Sequence, residues 1–168
     1  EEAGAPRWFA RSEVFDQTIR HRFAGVHAAA ARGELEDWRG CAEGRLAEII
    51  VLDQFSRNLF RDSAQAFACD GMALVLAQEA VRAGADRALP VVRKAFLYMP
   101  YMHSESRLIH EQALRLFGQP GLEFNFEFEL KHKAIIDRFG RYPHRNAALG
   151  RESTAEERAF LAQPGASF

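Results

Sequence analysis

Phe124-Asn125-Phe126-Glu127-Phe128-Glu129-Leu130-Lys131-His132-Lys133-Ala134-Ile135-Ile136-Asp137-Arg138-Phe139-Gly140 decides the fold. Its first five residues alternate apolar and polar, the period of a half-buried strand. The longer pattern contradicts that reading. Phe124, Phe128, His132, Ile135, Ile136 and Phe139 recur at three- and four-residue steps, which places them on one stripe of a helix. Gly140 follows as a natural stop. A helix over 124–139 is therefore expected.

The same reading extends in both directions. Ser12 is suited to cap a helix carrying Phe15, Ile19, Phe23, Val26 and Ala30, which Gly33 ends. A second helix is expected over 41–60, with Leu46, Ile49, Ile50 and Leu52 as its apolar body. Ser63 is expected to cap a third over 64–83, before Gly84. Pro90 opens a short fourth helix that should end before Pro100. Ser104 should cap a fifth over 105–117, ended by Gly118. Ser153 and Glu156 read as a capping box for a last helix ending near Leu161. Val91-Val92 is too short for a strand. Short Gly- or Pro-marked connections favour antiparallel neighbours. The expected fold is all-α, about six to seven antiparallel helices in one domain over 1–168, with no repeat at a 34-residue period.

The chain has 168 residues, enough to bury roughly 70% of its unfolded surface in one core. Its 14 phenylalanines supply large apolar area for that core. A net charge of −1 argues against a general nucleic-acid or membrane-surface protein. Cys41 and Cys69 lack zinc-ligand spacing and are too few for a disulfide framework. They are expected as small buried hydrophobes in a reducing cytoplasm. The aliphatic run Ile49 to Leu52 stops at Asp53, and no apolar run approaches the roughly 20 residues that cross a bilayer. No nucleic-acid or membrane partner is expected.

Three polar segments interrupt this apolar pattern. Arg138-Phe139-Gly140-Arg141-Tyr142-Pro143-His144-Arg145-Asn146 holds three arginines, a histidine and an asparagine, with no acid. Crowded guanidiniums need carboxylate, phosphate or carbonyl partners. Complementing the dipole of the preceding helix is the bland alternative. Asp53-Gln54-Phe55-Ser56-Arg57-Asn58 sets Asp53 and Arg57 four apart, either as a surface ion pair or as a partly buried one among Leu52, Phe55, Leu59 and Phe60. Met99-Pro100-Tyr101-Met102-His103-Ser104-Glu105 puts a titratable imidazole and a carboxylate at a turn. His132 falls on an apolar face, where a core histidine bonded to a carbonyl is the ordinary reading. His110 and Glu111 read as solvated surface. The arginines disfavour a cation, and H-E-x-x-H is absent, so no metal is expected; no cofactor is expected either. Neither a G-x-S-x-G elbow nor a phosphate-cradling Gly-rich loop is present.

In this order, these segments resemble the bacterial family known as domain of unknown function 924. The resemblance rests on Arg7-Trp8-Phe9, Phe15-Asp16, residues 52–58, Phe67-Ala68-Cys69-Asp70, residues 99–105, residues 138–146, and Leu149-Gly150-Arg151-Glu152-Ser153-Thr154-Ala155-Glu156-Glu157. It covers nearly the whole chain. It implies an all-helical, tetratricopeptide-like fold and no assigned biochemical activity. Family members are expected to begin with an earlier aromatic-rich segment of the Phe-Trp-Phe kind, which this chain lacks. Any part of a site supplied by that segment is expected to be missing.

The expected function is binding of a small anionic ligand where the three segments meet. Asp53, Arg57, Asn58, Glu105, His132, Arg138, Arg141, Arg145 and Asn146 would bind it, with His103 and His144 as candidate proton carriers. Two alternatives stand beside it. One is a hydrolase or transferase using His103 or His144 as general acid–base. The other is a scaffold for a protein or peptide partner, in which the polar segments only pin helices together.

Overall fold

The computed structural model describes residues 11–165. These form helices α1 (Glu13–Ala31), α2 (Ala42–Ile50), α3 (Ser56–Leu59), α4 (Asp70–Arg82), α5 (Val91–Met102), α6 (Arg107–Phe117), α7 (Glu123–Phe139) and α8 (Ala155–Leu161). No strand occurs among the described residues, and Phe124-Asn125-Phe126 belongs to α7 as the helical stripe requires. Short 3-10 turns fill several connections. No helix among the described residues is long and apolar enough to cross a membrane.

Neighbouring helices pack side by side: α1 on α3, α2 on α4 and α5, α5 on α6, and α6 on α7. The main core lies between α2, α4, α5 and α6, where Ile49, Leu97, Tyr98, Phe117 and Leu122 are almost fully buried. A smaller core of Ile135, Ile136 and Tyr142 joins the end of α7 to the following turn.

Several boundaries differ from the sequence reading. Residues 41–60 form one rod, but Val51–Phe55 is a π-helical turn between α2 and α3. The wider turn buries Val51, Leu52 and Asp53 in succession, more than one face of a regular α-helix would hide. α5 does not end before Pro100; it runs through that proline to Met102. The ring removes one amide donor, but burial of Tyr98, Tyr101 and Met102 outweighs that loss. The expected third helix splits into a 3-10 turn (Ala64–Phe67) and α4, so Asp70 becomes the first residue of α4. The fifth helix starts at Arg107, not 105, and Ser104 is not its cap. The capping box of α8 is Thr154 with Glu157, one residue after the pair expected. Ser153 is occupied elsewhere, its Oγ accepting from Asn146 Nδ2 at 3.0 Å. Cys41 is exposed rather than buried, and its sulfur caps α2 by accepting from Gly44 N.

Two glycines give opposite expectations for the same substitution. In mid-α1, Gly25 has open space where a Cβ would point, so Gly25→Ala should raise stability by roughly 0.5–1 kcal/mol. At Gly44 in α2 a Cβ would stand 1.9 Å from the Trp38 carbonyl oxygen. Gly44→Ala should lower stability by about 1–3 kcal/mol despite alanine's better helix propensity. Urea denaturation of both variants measures the contrast, and a Gly44→Ala protein as stable as the parent would contradict the packing of α2 on the Trp38 turn.

Candidate functional site

Asp53 is completely buried, and burial alone would push its carboxyl up. The Arg57 guanidinium, the His103 imidazole and the Gln54 amide outweigh that effect and hold it well below the usual carboxylate range. His103 Nδ1 stands 2.7 Å from Asp53 Oδ1. Because the carboxylate is an acceptor only, Nδ1 carries the proton and Nε2 carries the lone pair. Arg57 Nη1 donates to the Asp53 backbone oxygen at 2.6 Å and lies 3.3 Å from Oδ1. The π turn presents Asp53 to this cluster, and the extension of α5 past Pro100 delivers His103 at its C-terminal end.

Arg145 completes the cluster from the turn after α7. Only 6% exposed, its guanidinium lies between the Phe67 ring (4.7 Å) and the Tyr142 ring (4.6 Å). Nη2 donates to the His103 carbonyl at 3.0 Å and Nη1 to Asp70 Oδ2 at 3.2 Å. Arg57 grips both oxygens of the same Asp70, at 3.0 and 3.1 Å. Arg145 Nε is buried with no hydrogen-bond partner.

Two further histidines border the cluster. The His132 ring is 6.4 Å from that of His103 and 5.7 Å from Tyr142, and its Nδ1 donates to the Phe128 carbonyl at 2.8 Å. Burial is the main cause that brings His132 down to about 3. Burial also brings His144 down to about 4, with the Arg145 charge adding to it. His144 Nδ1 is buried without a partner. Burial likewise lowers His103, although Asp53 pulls the other way.

The structure thus brings together Asp53, Arg57, His103, His132, His144 and Arg145 from the three polar segments. Other residues expected at the site lie elsewhere. Asn58 donates to Asp16 Oδ1 at 2.8 Å, alongside Arg61. Arg138 is an exposed partner of Glu156. Glu105, Arg141 and Asn146 belong to a second network that pins the chain after α7. Glu105 accepts both Nη groups of Arg151 at 2.6 and 2.9 Å and the Tyr142 amide at 2.7 Å. Glu157 accepts Arg141 Nε at 2.6 Å, and Arg151 Nε donates to Asn146 Oδ1. Arg141 therefore neutralises Glu157, not Asp53 or Glu105.

Sequence reasoning missed two parts of the neighbourhood. Asp70 and Phe67 stood in one of the segments shared with the family, but no spacing connected them to Arg57 or Arg145. His110, read as solvated surface, is fully buried. Its Nε2 donates to the Ser104 carbonyl at 2.9 Å, and its Nδ1 is 2.6 Å from Glu129 Oε1. The Tyr142 hydroxyl donates to the Met102 carbonyl at 2.6 Å and lies 3.2 Å from the same Nε2. Burial raises the Glu129 carboxyl.

Among the described residues no group of three or more His, Cys, Asp or Glu has the arrangement to hold a metal ion. An apolar groove of about 1210 Å³ runs past Phe15, Phe23, Leu46, Ile50 and Phe55; Asn58 reaches its wall, as does Gln54, whose amide also donates to Asp53.

The imidazoles of His27 and His132, which are buried, and of His103 and His144, which are half-buried, set a pH dependence. His27, His103, His132 and His144 all have folded values below their ordinary 6.5. Groups lowered by folding contribute stability above the unfolded value and lose it as pH falls towards the folded one. Each should therefore withdraw up to ~1.4 kcal/mol per pH unit below about 6.5. Glu129, raised by folding, acts in the opposite sense, so four groups oppose one. Urea denaturation between pH 7.5 and 5 should show a steep loss of stability, reduced in slope by His132→Asn. A flat profile over that window would contradict the neutral state of these rings.

A solved structure similar to this chain carries the same architecture. The family model described as a bacterial protein of unknown function (DUF924) matches residues 1–165. A solved structure of a protein of unknown function from Agrobacterium tumefaciens matches with a TM-score of 0.92 and 40% sequence identity, covering 96% of this chain and 91% of that one. No curated protein matches. Over nearly its whole length, then, this chain belongs to the DUF924 family of bacterial proteins of unknown function.

Proposed function

We propose that the Asp53–Arg57–His103–Arg145 cluster binds a small anionic ligand. Arg145 carries this reading. A buried cation is costly unless it is paired and hydrogen-bonded. Here the guanidinium is fixed between two rings, and its Nε donor is buried without a partner. Helix pinning alone would be served by fully satisfied donors, as in the Arg151–Glu105 pair. Arg57 supplies a second positive group, and Asp53 orients both Arg57 and His103.

The Asp53–His103 pair favours extending the reading to catalysis of hydrolase or transferase type. Asp53 fixes the tautomer that leaves His103 Nε2 basic, and the guanidiniums would stabilise developing negative charge. His103 suits this role better than His144, which has no orienting carboxylate. The apolar groove favours a second reading, a scaffold that binds a peptide there while the polar cluster only holds helices together.

A thermal-shift screen of phosphorylated and carboxylated metabolites separates these readings. At least one compound should raise the melting temperature of the wild-type protein, with stabilisation of ~2.7 kcal/mol at a hundredfold excess over Kd. Arg145→Gln should abolish that shift. His103→Asn should retain binding and lose any turnover. If no compound shifts the wild type, while Arg145→Gln melts several degrees lower, the anion reading fails and the scaffold stands.

A further inference from the structure

We infer that Asp70 is an internal stand-in for the ligand's anionic group, and that this group is a carboxylate; the inference rests on the anion-binding reading above. Both Arg57 Nη atoms face the two Asp70 oxygens, and Arg145 Nη1 adds a third donor to one of them. Such a planar fork matches a carboxylate's shape as well as its charge.

The clamp does not depend on Asp70 for its form. Arg57 is held from behind by the Asp53 backbone and side chain. Arg145 is held by the His103 carbonyl and by the two aromatic faces. With the Asp70 carboxylate gone, both guanidiniums would still converge on the same point. Asp70 is also the loosest two-oxygen partner of an arginine here. Its contacts span 3.0–3.2 Å, whereas Arg141 holds Glu157 at 2.6 and 2.8 Å and Arg61 holds Asp16 at 2.7 and 2.8 Å. Its side chain is 18% exposed, so it has a route to water.

Charge supplies the reason for an exchange. Two guanidiniums face two carboxylates, and burial keeps the three neighbouring imidazoles from adding positive charge near neutrality. While Asp70 is seated, the cluster offers an incoming anion no net attraction. Once Asp70 swings outward, one positive charge is uncovered, and a ligand carboxylate takes over the same three donors. Asp70 thereby competes with the ligand and sets its apparent affinity.

Acetate binding, followed by NMR shifts of the arginine side chains at constant ionic strength, tests this in wild type and in Asp70→Asn, which keeps the shape and removes the charge. Asp70→Asn should bind acetate about tenfold more tightly than wild type, as expected when a competitor that fills most of the clamp is removed. Inorganic phosphate should gain much less. Asp70→Gly serves as a second variant, with its lowered melting temperature recovering in acetate more than in phosphate. If wild type binds a carboxylate through Arg145 but Asp70→Asn binds acetate no better, Asp70 belongs to the site and the stand-in fails alone. Equal gains for phosphate would overturn the carboxylate assignment. If neither protein binds acetate and no metabolite shifts wild type, both this inference and the anion site fall.

Discussion

A carboxylate with no access to water has to be kept ionised, and Asp53 imposes that requirement on the rest of the molecule. Removing a charge from water is expensive unless donors replace the lost hydration. Every neighbour of Asp53 supplies such a donor: the guanidinium one turn later, the amide beside it, and the imidazole at the end of α5. The local backbone follows the same demand. Only the π turn lets Leu52 and Asp53 both face inward, and only an α5 that continues past Pro100 brings His103 within reach. Two departures from regular helical expectation thus serve one contact.

The two polar networks do different work. Around Arg151, Glu105, Arg141 and Glu157, the guanidinium contacts to side-chain oxygens lie at 2.6–2.9 Å, with a longer Asn146–Glu157 contact of 3.3 Å, and the chain after α7 is tied to the α5–α6 corner. In the Asp53 cluster, contacts to Asp70 are longer, and Arg145 Nε and His144 Nδ1 are left without partners. Buried atoms without partners also occur at Asp86 Oδ1 and Glu129 Oε2, but those are carboxyl oxygens; among the described residues only the Asp53 cluster leaves a buried cationic donor unpaired. The contrast inside one molecule is the strongest physical reason for reading the second as a site.

The helices were legible because their signal is repeated. Phe124, Phe128, His132, Ile135, Ile136 and Phe139 vote together, so a short alternating run could not outweigh them. Boundaries carried single-residue signals and were less secure. Ser153 and Thr154 are chemically similar caps, and only the long-range Asn146 contact decides between them. Convergence of the three polar segments was readable as a need, since arginines without local acids require distant ones. Which acid answers which arginine was not readable. Arg141 reaches Glu157, Arg57 reaches Asp70, and Glu105 reaches Arg151, all set by tertiary distance rather than spacing. His110 was misplaced because its sequence neighbours Arg107, Leu108 and Glu111 are exposed, while its own side of α6 faces α7.

That buried histidine links the core to the cluster through proton accounting. A carbonyl can only accept, so the Ser104 oxygen obliges His110 Nε2 to hold a proton. The remaining contact, between His110 Nδ1 and Glu129 Oε1, must then also contain a proton, because two lone pairs at 2.6 Å would repel. The pair is neutral overall whichever partner holds that proton. Burial raises the Glu129 carboxyl, and its Oε2 has no partner, which favours the acid form donating to Nδ1. The Tyr142 hydroxyl, donating to the Met102 carbonyl, presents its oxygen to the His110 N–H. The ring is thereby fixed at its far end, and its face is the surface against which Arg145 lies. A proton shared deep between α6 and α7 thus helps determine where the site's most buried cation sits.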